Sequence, residues 1–130
     1  MILGSTLLGF ALLVNLGNKK MLALTFFVAA GFLVDIPRTS ADEFYLYCML
    51  VETCIFIAAL NVKCEASGAV MLSAGLLFLC HCLGYWKDGY PALSPYRALV
   101  PALEYIQIVC CIIFSRPLVA ILHNRESQTK

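Results

Sequence analysis

The chain has 130 residues, of which 62% are hydrophobic and 13% charged, with a formal net charge of +1 and a mean hydropathy of +0.87. Soluble domains carry about 45–50% apolar and about 25% charged residues, so the composition speaks against a water-soluble globule. Without a basic patch it also speaks against a nucleic-acid partner.

The apolar residues fall in long blocks separated by short charged seams, the pattern of a chain whose solvent is lipid. A soluble helical bundle needs polar stripes to keep its outer faces wet, and "MLALTFFVAAGFLV" has none. The sequence therefore predicts an all-α, polytopic membrane protein of about five transmembrane helices, four being the alternative. One transmembrane domain covers 1–123 and a polar tail covers 124–130.

The first two predicted spans, 1–17 and 21–36, are short and joined by "NKK". No basic region precedes the first, which is expected to remain as a span and not to act as a cleaved signal. Pro37 and the charges of "DIPRTSADE" close the second. The third span, 44–62, ends at "KCEAS", and the fourth, 66–86, at the turn-rich "KDGYPALSP". The fifth, 95–122, opens with Ser94 and Pro95 as helix cap and first residue. Pro101 and Pro117 lie within it, so a kink near 97–101 and a break near 113–117 are expected.

With five spans, Lys19, Lys20, Lys63, Arg116, Arg125 and Lys130 lie on one side, and Arg38, Lys87 and Arg97 on the other. The richer side is cytoplasmic by the positive-inside rule, giving N-out and C-in. Tyr45, Tyr47, Tyr85, Trp86, Tyr90 and Tyr96 gather at the outer ends as an aromatic belt. Arg116, about 18 Å along the fifth helix from Glu104, reads as an anchor snorkelling to the inner headgroups.

Three ionisable residues fall inside the spans. Glu52 lies about 12 Å in from Phe44, His81 about 8 Å from Trp86, and Glu104 about 8–14 Å from the start of its helix. They are expected to share one layer, with Gln107 beside them. Each intramembrane charge costs roughly 2.5–3.5 kcal/mol on insertion scales, and such groups mark ion paths, proton relays or buried partners. The competing role is hydrogen-bond glue between helices, worth about 1 kcal/mol per contact.

Glu104, Gln107, Cys111 and Ser115 recur at spacings of three, four and four, so they form one stripe facing protein or water. Ala66, Ala69, Ser73, Cys80 and Gly84 make a small-residue packing face on the fourth span, with a shorter version at Ser5 and Gly9 on the first.

The seven cysteines, Cys48, Cys54, Cys64, Cys80, Cys82, Cys110 and Cys111, include no CxxC pair. Successive residues of "CHC" point about 100° apart on a helix, so they do not chelate one ion. No metal, cofactor or disulfide framework is implied, and the thiols read as small apolar filler.

The loops leave no room for a soluble catalytic domain, and no nucleophile with a positioned base is present, so an enzyme is not expected. The first functional reading is a small non-enzymatic membrane protein that assembles with itself or with a larger membrane complex through its buried polar and small-residue face. In size and layout the chain is similar to small phage holins, short polytopic proteins with polar tails that assemble to permeabilise the inner membrane. That similarity implies a permeabilising role, the second reading. The third is a proton- or ion-coupled transport subunit in which Glu52 and Glu104 titrate. The expected location is a bacterial inner membrane or that of a phage-infected host.

Overall fold

The computed structural model describes residues 2–33, 41–87 and 95–115. Five α-helices make up this part of the chain: α1 (Ile2–Val14), α2 (Lys19–Leu33), α3 (Ala41–Val62), α4 (Ser67–Trp86) and α5 (Tyr96–Ile113). Each packs on its neighbour in sequence, and α5 returns to pack on both α1 and α2, closing the bundle.

Local chemistry sets the boundaries. The backbone N–H of Met21 donates to Asn18 Oδ1 at 3.4 Å, and that of Leu22 to the Asn18 carbonyl at 2.8 Å. Asn18 thus caps α2, which begins two residues before the predicted Met21. In the α3–α4 turn the Cys64 N–H donates to Ser67 Oγ at 2.8 Å. At α5, Pro95 occupies the cap position and its carbonyl accepts from Ala98 and Leu99. The helix runs through Pro101 and ends at Ile113, inside the 113–117 stretch where a break is expected, while 116–122 lie outside the described residues. Ser94, Arg116, Tyr90, Pro117 and the tail at 124–130 lie outside the described residues.

Lys63 ends α3 with φ +48°, a left-handed conformation that glycine adopts without steric cost. Lys63→Gly is expected to stabilise the protein by about 0.5–1 kcal/mol, measurable as a raised unfolding midpoint in detergent. A lowered midpoint would show that the lysine side chain contributes more than the backbone costs.

The core is built from small and medium side chains. Leu8, Ala11, Met21, Leu24, Val28, Ile55, Ala59, Val70, Ala74 and Ile108 form its main cluster, and Leu77, Cys80 and Leu103 a second one. The outside is as apolar as the inside: Leu3, Leu13, Phe26, Leu50, Leu72 and Leu79 are exposed. Helices apolar all round belong in lipid or in a core. Two of them, Glu43–Val62 and Ser67–Trp86, are long and apolar enough to cross a bilayer, while Leu3–Val14 and Ala98–Ile113 are apolar but shorter.

Close approach of α2 to α3 depends on Gly31. A Cβ there would lie 2.8 Å from Val51 Cγ1 and 3.0 Å from Ile55 Cδ1, and one on Gly4 would meet the Phe32 ring. Alanine gains about 1 kcal/mol of helix propensity over glycine, but overpacking costs typically 1–3 kcal/mol. Gly31→Ala is therefore expected to destabilise by about 1 kcal/mol net, read from the same unfolding midpoint. A neutral or stabilising result would mean that α2 and α3 separate without penalty.

Candidate functional site: a buried polar group

α5 is the most two-faced of the five helices, because its stripe of Glu104, Gln107, Cys111 and Ser115 interrupts an otherwise apolar surface. That stripe turns inward. Gln107 is 3% exposed, Cys111 and Ser115 are fully buried, and Glu104 is half-buried.

The upper half of the stripe meets α3. Gln107 Nε2 donates to Glu52 Oε2 at 3.0 Å, and Glu52 is itself 7% exposed. Glu52, Gln107 and Glu104 line one small, partly open pocket of about 20 Å³, walled otherwise by Val28, Gly31, Phe32 and Ile55. A cavity of that size holds about one water-sized guest. Phe32 is fixed above it by an edge-on contact with Tyr105, centroids 6.2 Å apart. Among the described residues no side-chain hydrogen bond is seen for Glu104.

His81 does not line this cavity. It is 4% exposed, with its ring 6.4 Å from that of Tyr45. The register of α3 against α4, marked by Cys82 Sγ donating to Met49 Sδ at 3.2 Å, sets Ala74, Gly75 and Phe78 behind Glu52. His81 stands one turn beyond Phe78, towards Tyr45. Of the predicted group of Glu52, His81, Glu104 and Gln107, the structure brings Glu52, Glu104 and Gln107 to one pocket and sets His81 apart from it, beside Tyr45.

The lower half of the stripe meets a second polar group that the sequence reading missed. Asn15 is fully buried at the end of α1. Its Nδ2 donates to the Ala11 carbonyl at 2.9 Å, to the Cys111 carbonyl at 2.8 Å and to Thr25 Oγ1 at 3.3 Å. Thr25 Oγ1 in turn donates to the Met21 carbonyl at 2.7 Å.

The last carbonyls of a helix lack intrahelical donors. At the end of α5, Cys110 O accepts from Phe114 N and Ile112 O from Ser115 N. Cys111 O is left for Asn15. One amide therefore ties α1, α2 and α5 together. Asn15 Oδ1 and Ser115 Oγ are buried without a hydrogen-bond partner among the described residues. The signal was available: Asn15 and Thr25 are polar residues in apolar runs, placed about equally far from the "NKK" turn.

The small-residue face of α4 lies inside the bundle. Ala66, Ser73, Cys80 and Gly84 are buried and Ala69 is half-buried, with Ser73 Oγ donating to the Ala69 and Val70 carbonyls. The proposed interfacial residues divide. Trp86 is 82% exposed and Tyr85 is exposed, Tyr47 is half-buried, and Tyr45 is buried against His81. Ser5 and Gly9 of α1 are exposed, with open space beyond Gly9. No group of three or more histidine, cysteine or acidic side chains suited to a metal ion occurs among the described residues.

No family model, curated protein or solved structure matches the chain.

Proposed function

We propose that the chain is a small, non-enzymatic integral membrane protein with all five helices in the bilayer, N-out and C-in, and that Glu52 and Glu104, with Gln107 as a hydrogen-bond donor to Glu52, take up and release protons or small cations inside the monomer. The observation that carries this reading is that two carboxyl groups from different helices line one pocket of about 20 Å³. Glue explains one of them: Glu52 bonds Gln107 and joins α3 to α5. It does not explain Glu104, whose insertion costs roughly 2.5–3.5 kcal/mol without that return.

Support for a five-helix insertion is the apolar exterior of α1 and α2, where Leu3, Phe10, Leu13, Phe26 and Phe27 are exposed. At 1.5 Å per residue α1 is about 20 Å long and α2 about 22 Å, so the proposed bilayer thins around them. A bacterial inner membrane or that of a phage-infected host is the proposed location.

A second reading, assembly with another copy or a larger complex, is favoured by α1. Its exposed Ser5–Gly9 face gives a partner helix room to approach, whereas the polar stripe of α5 is engaged within the chain. Liposomes holding the protein with a pH-sensitive probe and a larger trapped dye separate the readings. Proton entry with the dye retained is expected. Release of both would favour a holin-like opening, and tight liposomes the assembly role.

A further inference from the structure

The two short turns of the bundle emerge at one end. The Asn15 amide at the end of α1 donates to the Cys111 carbonyl near the end of α5, so α2 starts where α5 stops. Leu77 and Cys80 in the second half of α4 pack on Val100 and Leu103 in the first half of α5, which makes these two helices antiparallel. The start of α4 therefore lies at the same end, and the α1–α2 and α3–α4 turns share it.

That end is basic. It carries Lys19, Lys20 and Lys63, all exposed, against one exposed acid, Glu65. At the opposite end the charged residues with described side chains are Glu43 and Lys87, one of each sign. Local structure does not account for the three lysines. Lys19 and Lys20 open α2, and no acidic residue shares its first turn. A helix start is the positive pole of the dipole, where a cation is disfavoured. Lys63 holds φ +48°, a conformation that glycine takes at no steric cost. All three cations thus stand where their own backbone works against them, and an outlier of that kind points to a role outside the helix.

With the five helices in the bilayer, this end lies at headgroup level, where the available anions are lipid phosphates. A basic cluster beside a membrane face is attracted to anionic lipid. We propose that the lysine end binds anionic phospholipid headgroups in preference to zwitterionic ones, with Lys19, Lys20 and Lys63 meeting their charge. The positive-inside rule places such lysines on one side of the membrane; selection of a headgroup is the further step. The inference rests on the proposed insertion of the helices in lipid.

The test is electron spin resonance of lipid chains beside the full protein. Spin-labelled phosphatidylglycerol or spin-labelled phosphatidylcholine is added in trace amounts to phosphatidylcholine vesicles holding the protein. The motionally restricted fraction then gives the relative association of each lipid. Phosphatidylglycerol is expected to associate roughly two- to fivefold more strongly, and the excess should shrink in about 1 M salt. The triple variant Lys19→Gln, Lys20→Gln, Lys63→Gly should lose the preference, while Lys87→Gln, at the opposite end, should keep it. Should the triple variant not fold, Lys63→Gly alone, which suits the backbone there, should still lower the preference. Equal association of the two lipids with the wild type overturns the proposal. So does a preference unchanged in the lysine variants. Restricted lipid of both kinds without preference rejects the headgroup site alone, whereas no restricted lipid of either kind rejects the insertion on which it rests.

Discussion

Asn15→Asp is expected to be the most destabilising conservative substitution in the chain. It changes an NH₂ into an oxygen at a position that touches the Ala11 carbonyl, the Cys111 carbonyl and Thr25 Oγ1. Two of these are carbonyl acceptors, so the variant sets oxygen against oxygen in a fully buried site. Polar contacts between membrane helices are worth on average about 0.6 kcal/mol and at most about 1.7 kcal/mol, but a buried acceptor left unpaired costs about 1–3 kcal/mol, and more where a charge is involved.

The expected loss for Asn15→Asp is therefore about 3 kcal/mol or more, against about 2–3 kcal/mol for Asn15→Ala. Unfolding in mixed micelles would measure it. Equal stability of Asn15→Asp and wild type would mean that Asn15 does not hold the end of α5.

The second large effect is functional and separates glue from proton handling. Glutamine at position 52 keeps an oxygen for Gln107 Nε2, so Glu52→Gln should fold with a stability change within about 1 kcal/mol. Glutamine at 104 removes an ionisable group that carries no side-chain hydrogen bond among the described residues, and it too should fold. Neither amide exchanges a proton at any pH of interest. If the pair only joins helices, both variants should behave as wild type. If the carboxyls exchange protons, each should reduce proton flux by about tenfold or more, one factor of ten being 1.4 kcal/mol in the barrier.

Much of the outline was legible in the sequence because the information is local. Long apolar blocks and the charged seams between them mark helices and turns, and α3 and α4 fall within a few residues of 44–62 and 66–86. The inward direction of the α5 stripe follows from its spacing, since Glu104, Gln107, Cys111 and Ser115 share one face on any α-helix.

What the stripe meets is not local. Depth counted from helix ends gave Glu52, His81 and Glu104 similar heights, but height says nothing about rotation round the axis, and His81 turned to Tyr45. Gln107 reaches Glu52 across the space between α5 and α3, with Val28 of α2 and Ile55 completing the pocket.

Asn15 was hidden for a different reason. An asparagine next to "LGNKK" reads as turn chemistry, and only the return of α5 brings the Cys111 carbonyl to it, 96 positions later. The end of α5 at Ile113 was legible from Pro117, which marks a break near 113–117, but not the way its last carbonyls are satisfied, by turn bonds and by Asn15.

The central proposal is that Glu52 and Glu104 form an exchanging carboxyl pair inside the bundle. Proton flux driven by a pH step across liposomes tests it most directly, comparing wild type with the double variant Glu52→Gln, Glu104→Gln at equal reconstitution. Flux in the wild type that falls to the level of protein-free liposomes in the double variant is the expected result. Equal flux in both, or none in either, would contradict it and leave the two glutamates as structural polar residues.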